Sequence, residues 1–151
     1  MILLDTNVIS EMMRPRPDPR VEAWIANQPR AELLITAITE AELRFGIEIL
    51  PHGLRRQHLQ TALIRMLEED FARLILPFDS AAAVAYAGIV AERRYSGRPI
   101  NSMDAQIAAI ARSTVATLAT RNVEDFQGCQ ITIVNPWNSG PITPPPATPH
   151  R

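Results

Sequence analysis

Three acids in this chain occupy places where a solvated surface acid is not expected. Asp5 closes the segment Met1-Ile-Leu-Leu-Asp5-Thr6-Asn7, in which Ile2 to Leu4 read as a short buried strand. A carboxylate, a hydroxyl and an amide follow one another at the strand's end. An apolar, helix-like segment from Val8 to Met13 starts at once, with Thr6 or Asn7 placed to cap it. Open parallel sheets bind ligands outside the carboxyl ends of their strands. Glu42 lies in a helical pattern in which Ile38, Glu42, Phe45 and Ile49 share one apolar stripe. Asp104 has Ile100, Ile107, Ala108 and Ala111 as its helical neighbours, again on a stripe expected to face the core. A bare buried carboxylate is unfavourable by at least several kcal/mol, so such a group must be paired, protonated or bound to a metal.

Each acid also has a plain reading. Asp5 serves as a turn or cap residue. Glu42 completes a Thr-x-x-Glu capping box with Thr39. Asp104 favours its helix dipole. Taken together, three carboxylates at one sheet edge point to a hard, oxygen-seeking cation such as Mg²⁺ or Mn²⁺. His52, His58 and His150 are scattered, and Cys129 is the single cysteine, so a zinc cluster and an intrachain disulfide are excluded. No Ser-His-Asp set assembles.

The elements that must position these acids alternate between strand and helix. Asp18-Pro19 caps a helix carrying Val21, Trp24 and Ile25. Leu33 to Thr36 is strand-like, and helices are expected over 37–50 and 54–71. Residues 74–78 form an edge strand or connector, because Pro77 lacks a donor. Asp79 caps a helix over 80–94 with an Ala-rich stripe, which offers a dimer surface. Ser102 caps the next helix, 103–112. Strand-like runs at 115–119 and 130–134 flank a polar turn, 120–126. This alternation predicts an α/β fold, a parallel β-sheet sandwiched by α-helices in three layers. From Ser139 the composition turns proline-rich. Residues 1–138 are therefore read as one domain and 139–151 as a tail.

The 151 residues are 46% hydrophobic and 21% charged, an ordinary globular balance. The net charge of -1 argues against a generally basic nucleic-acid coat, though not against a local basic groove. No signal peptide and no membrane-spanning run is present, which together with one cysteine suggests a cytoplasmic protein. Neither a Gly-rich dinucleotide fingerprint nor a phosphate-binding P-loop occurs.

In family order and spacing, the segments Met1-Ile-Leu-Leu-Asp5-Thr6-Asn7-Val8-Ile9-Ser10, Ala37 to Gly46, Asp104-Ala-Gln-Ile-Ala-Ala109, Ala119 to Phe126 and Asn135-Pro136-Trp137 resemble PIN-domain ribonucleases. The resemblance is closest to the VapC/FitB type of toxin from bacterial toxin–antitoxin pairs. It covers residues 1 to about 138 and leaves out the tail. It implies a homodimer and Mg²⁺- or Mn²⁺-dependent hydrolysis of RNA. It assigns the acidic site to Asp5, Glu42 and Asp104, and it places Thr6, Asn7 and Thr120 among the polar residues that orient ligands or water. A fourth acidic position of the family reads Asn122 here, with Asp125 three residues on; an amide is the poorer ligand and cannot act as a base. Asp5 and Asp104 are then expected as direct ligands. Glu42 is a ligand or holds a metal-bound water, and Asn122 or Asp125 completes the shell. Arg14, Arg16, Arg20, Arg44, Arg98 and Arg121 are candidates for an RNA rim. The implied partner is an antitoxin of the VapB/FitA kind, able to bind DNA. A second expectation follows from Asn122: a catalytically weak PIN-type binding subunit acting with that antitoxin in transcriptional control. A metal phosphatase would need an Asp-x-Asp pair, and position 7 is Asn.

Overall fold

The computed structural model describes residues 1–138; the proline-rich stretch 139–151 lies outside the described residues. Five short strands form one sheet: β1 (Ile2–Leu4), β2 (Leu33–Thr36), β3 (Ile75–Leu76), β4 (Thr117–Ala119) and β5 (Thr132–Val134). Their order is β3-β2-β1-β4-β5, and every pairing is parallel. The helices are α1 (Thr6–Met12), α2 (Pro19–Ala26), α3 (Ala37–Glu48), α4 (Leu54–Glu69), α5 (Ser80–Tyr95) and α6 (Ser102–Thr114).

Strand alternation sorts the side chains into two cores. Leu3, Leu34 and Leu118 point to one face, where they meet Ala82 and Ile89 of α5 and Ile107, Ala108 and Ala111 of α6. Their chain neighbours Leu4, Ile35 and Ala119 point to the other face, against Val8 and Ile9 of α1, Leu43 and Ile47 of α3, and Leu63 and Leu67 of α4. Both faces of the sheet are therefore covered, as an all-parallel sheet requires. The three-layer expectation holds. β3 is the edge strand beside Pro77, and Asp79 and Asp18 cap α5 and α2 through their side chains as expected.

Three caps differ from the sequence reading, each by a residue or a few. α1 is capped by Asp5 itself, not by Thr6 or Asn7. α3 is capped by Thr36, whose hydroxyl accepts the Thr39 N–H, so Glu42 has no capping-box role. α6 is capped by Asn101, not Ser102. In each case neighbouring polar residues compete, and the one with extended backbone at the end of the preceding strand or loop wins. A larger correction concerns α3. Its core stripe is Thr39, Leu43 and Ile47, whereas Phe45 and Ile49 are 64% and 65% exposed. Glu42 thus sits at the border between the buried stripe and an exposed apolar one. α6 ends at Val115, which adopts a left-handed conformation at φ 54°.

Candidate active site

The sheet order reverses beside β1: the chain moves from β1 to β2 and β3 on one side, then returns to β4 and β5 on the other. A crevice opens at such a switch point, beyond the carboxyl ends of the strands that part there. The register of Leu4 against Ala119 sets Asp5 beside Thr120, the next residue of each chain segment. The Asp5 N–H donates to the Ala119 carbonyl at 2.9 Å, which carries the ladder one step past the strand end. The cleft there has a volume of about 490 Å³, and its lining includes Asp5, Thr6, Asn7, Glu42, Asp104 and Asn122. Sequence-distant β1, α3 and α6 each deliver one carboxylate.

A network of neutral donors holds these acids. Thr120 is fully buried; its hydroxyl donates to Asp5 Oδ2 at 2.7 Å and accepts the Asn122 N–H at 3.0 Å. The Thr6 N–H donates to Asp5 Oδ1 at 2.8 Å, and the Thr6 hydroxyl donates to Glu42 Oε1 at 3.0 Å. Asn7 Nδ2 reaches both Asp5 Oδ2 and Thr120 Oγ1, at 3.4 and 3.3 Å. Asn101 donates from Nδ2 to Asp104 Oδ2 at 2.6 Å while its Oδ1 accepts the Asp104 N–H. Thr6, Asn7 and Thr120 are thus in contact with the acids they were expected to orient.

Electrostatics mark the cluster. Burial raises the Asp5 pKa; the bonds from Thr120 and Thr6 oppose the rise, and the charges of Asp104 and Asp125 add to it. Burial also raises Glu42, against the Thr6 bond and with help from Asp5 and Asp104. Asp104 is raised by burial, and again by Asp125, against its bond from Asn101 and the charge of Arg93. Asp125 is exposed and stands outside the cleft lining, but its charge is felt inside; Asn122 takes the place in the lining. Several acids elsewhere are paired. Glu11, Asp18, Glu40, Glu48, Asp70 and Glu92 each have an arginine partner. Asp5, Glu42 and Asp104 form no ion pair among the described residues.

The donor set fits a hard cation: oxygens only, negative, and unneutralised by arginine. The described residues contain no three His, Cys, Asp or Glu side chains gathered tightly enough to form a ready cluster round one ion. An ion held by one or two direct carboxylates with the rest of its shell as water, the usual state of Mg²⁺, needs no tighter gathering. Asp5, Glu42 and Asp104 would be the carboxylates available to such an ion.

Sequence reasoning missed Arg93. It is 6% exposed, in the last turns of α5. Its Nε donates to the Arg98 carbonyl, and its Nη1 donates to the carbonyls of Asp125 and Gln127 at 2.8 and 2.9 Å. It therefore fixes the 3-10 turn Val123–Phe126 beside the cleft. Its only sequence signal was an Arg among Ala and Ile in a helix. Glu11, also buried in the lining, is occupied by Arg14 and the Asp18 N–H.

Of the six rim candidates, Arg14 and Arg121 line the cleft. Arg20 is held twice over by Asp18, and Arg44 by Glu40. Arg98 reaches the Glu124 carbonyl. Arg16 is exposed and outside the lining.

Comparison with known proteins agrees with this architecture. The PIN domain model matches residues 2–127. The toxin FitB of Neisseria gonorrhoeae is 41% identical over 91% of this chain and 99% of its own length. The VapC ribonuclease Y4jK of Sinorhizobium fredii is 42% identical over 91% of this chain and 98% of its own. A solved structure of FitAB bound to an IR36 DNA fragment superposes with a TM-score of 0.87 at 38% identity, covering 93% of this chain and 98% of that one. With the family model matching most of the chain, and with identity and superposition extending over about nine-tenths of it, the chain belongs to the PIN-domain family, in the branch that holds the VapC and FitB toxins.

Proposed function

We propose that the protein is a metal-dependent endoribonuclease, the toxin of a toxin–antitoxin pair. The observation that carries this reading is the trio Asp5, Glu42 and Asp104: three acids from three elements line one cleft, and none of them is paired with an arginine among the described residues. Phosphodiester hydrolysis needs a nucleophilic water, an in-line approach and relief of negative charge, and a bound Mg²⁺ or Mn²⁺ supplies activation and charge relief. Asp5 and Asp104 are the direct ligands in this reading, and Glu42 is a ligand or holds a water. The bonds from Thr120 and Thr6 favour the ionised Asp5 carboxylate and orient it, since both lower its pKa against the larger effect of burial. Thr6 does the same for Glu42, and Asn101 for Asp104. Asn122 offers an amide where an acid would hold a second ion, so one cation suffices in this scheme.

Support for the substrate class comes from relatives named as ribonucleases, among them the VapC ribonuclease already described and Ribonuclease VapC2 of Haemophilus influenzae, 30% identical. An antitoxin partner is supported by neighbours solved as toxin–antitoxin complexes. A homodimer and a cytoplasmic location belong to the same reading; no described helix is long and apolar enough to cross a membrane. The test is cleavage of RNA by the purified chain with Mg²⁺ or Mn²⁺, beside Asp5→Ala and an EDTA control. Cleavage by the wild type alone supports the proposal; no cleavage with either ion by a folded wild type sinks it.

The amide at Asn122 favours a second reading, a catalytically weak subunit that binds with a DNA-binding antitoxin in transcriptional control. Asn122→Asp separates the two. If that change creates cleavage where the wild type has none, the native chain is a binding subunit.

A further inference from the structure

Six arginines could form an RNA rim by sequence, and the structure singles out one. Arg121 lines the cleft at the end of β4 and is the lining arginine without a carboxylate partner among the described residues. Its guanidinium carbon stands 5.1 Å from the centroid of the Trp137 ring. Trp137 is 5% exposed, so its indole is a buried floor, and its backbone N–H donates to Asn135 Oδ1 at 3.0 Å. The Arg121 N–H donates to Asn7 Oδ1 at 3.2 Å, and the same Asn7 side chain donates to Asp5 Oδ2. The position of Arg121 is thereby tied to the acid at the centre of the cleft.

We propose that Arg121, held over the Trp137 ring, is the residue that contacts an RNA phosphate at the mouth of the carboxylate cleft. This rests on the nuclease reading. Acids repel a phosphodiester, and a cation at the rim offsets that repulsion. Stacking on an indole restrains a guanidinium while leaving its N–H edge open, and that edge matches phosphate oxygens in a fork that an ammonium lacks. Arg14, the other lining arginine, already gives Nη1 to Glu11 at 3.1 Å.

The test uses the full chain, a fluorescein-labelled single-stranded oligoribonucleotide and the variants Arg121→Gln, Arg121→Lys and Trp137→Phe, each checked for wild-type thermal unfolding. Cleavage kinetics with Mn²⁺ and binding anisotropy with Ca²⁺ are read across a salt series. Arg121→Gln is expected to raise KM and Kd about tenfold, as loss of a charged hydrogen bond does, with a smaller change in kcat. Its log–log salt slope should fall by roughly 0.7, the loss of one phosphate contact on a single strand. Arg121→Lys keeps the slope but binds less tightly than wild type, and Trp137→Phe falls between. Calorimetric Mn²⁺ affinity should not weaken in Arg121→Gln, which separates an RNA contact from damage to the acids. Unchanged Kd and slope in Arg121→Gln overturn the proposal, and so do equal losses in the Lys and Gln variants. A wild type that binds RNA without cutting it refutes the nuclease reading alone, because the anisotropy slopes still decide the role of Arg121.

Discussion

Replacing Thr120 with valine removes one hydroxyl and almost no volume, so its effect isolates the hydrogen bonds. The hydroxyl donates to Asp5 Oδ2 at 2.7 Å and accepts from Asn122 N and Asn7 Nδ2 at 3.0 and 3.3 Å, at a position with no solvent exposure. A bond to a charged group contributes roughly 1.5–3 kcal/mol, and water can replace the partner of the exposed Asn122 N–H, so the loss is about 2–3 kcal/mol when Asp5 is ionised. The Asp5 pKa in the fold lies above its ordinary value, and the Thr120 bond is the largest influence holding it down. Removing the bond raises that pKa further. A folded state with a raised acid pKa binds protons more readily than the unfolded chain, so its stability deficit is full above the folded pKa and is relieved as pH falls through it. Urea unfolding in EDTA at two pH values, one well above the raised Asp5 pKa and one below it, should therefore show the whole loss at the higher and a clearly smaller one at the lower. An equal loss at both pH values, or none at the higher, refutes the claim that this hydroxyl serves the Asp5 carboxylate.

Other outcomes follow from the same geometry. Asp5→Asn should abolish cleavage yet raise stability without divalent ions by about 1 kcal/mol near pH 7, because a buried, crowded charge is removed; calorimetric unfolding checks it, and a less stable variant contradicts it. Arg93→Met should cost about 2–3 kcal/mol, from three carbonyls that lose their donor less the relief of a desolvated charge. Hydrogen exchange should then quicken over 123–127, and unchanged exchange there means Arg93 does not hold the turn. Val115→Gly should stabilise the fold by about 1 kcal/mol, since a β-branched residue is strained at positive φ and this side chain is 92% exposed. Denaturant titration reads the change, and any destabilisation refutes it.

The sheet and the acid at its edge were legible because short-range patterns encode them. Ile2 to Leu4 followed by Asp5-Thr6-Asn7 needs only alternation and a strand end, and the stripe beside Asp104 is buried at Ile107, Ala108 and Ala111 as its spacing implies. Glu42 was reached by a faulty route. Helix α3 carries two apolar stripes with the same period, and periodicity cannot say which one the sheet takes. The sheet takes Thr39, Leu43 and Ile47, leaving Phe45 and Ile49 outside. Glu42 borders both, which is why it reaches the cleft. Arg93 was illegible for another reason. Two of its acceptors are backbone carbonyls more than thirty residues away, and any residue type supplies a carbonyl.

The choice of donors round the acids carries its own logic. The chain has 15 arginines and uses them freely on surface acids, yet Asp5, Glu42 and Asp104 are held by threonine, asparagine and backbone N–H groups. A guanidinium paired with these acids would neutralise the carboxylates and fill the space between them at once. Neutral donors fix the oxygens in direction while leaving the negative charge uncancelled. Arg93 keeps its cation behind the turn, spending its hydrogen bonds on carbonyls and acting on Asp104 only through space. Such a cleft is less stable than a neutralised one would be, and under the proposed function an entering cation would offset the deficit. Divalent ions should therefore stabilise the wild type more than Asp5→Asn, and the difference should shrink at acidic pH as the carboxylates take up protons.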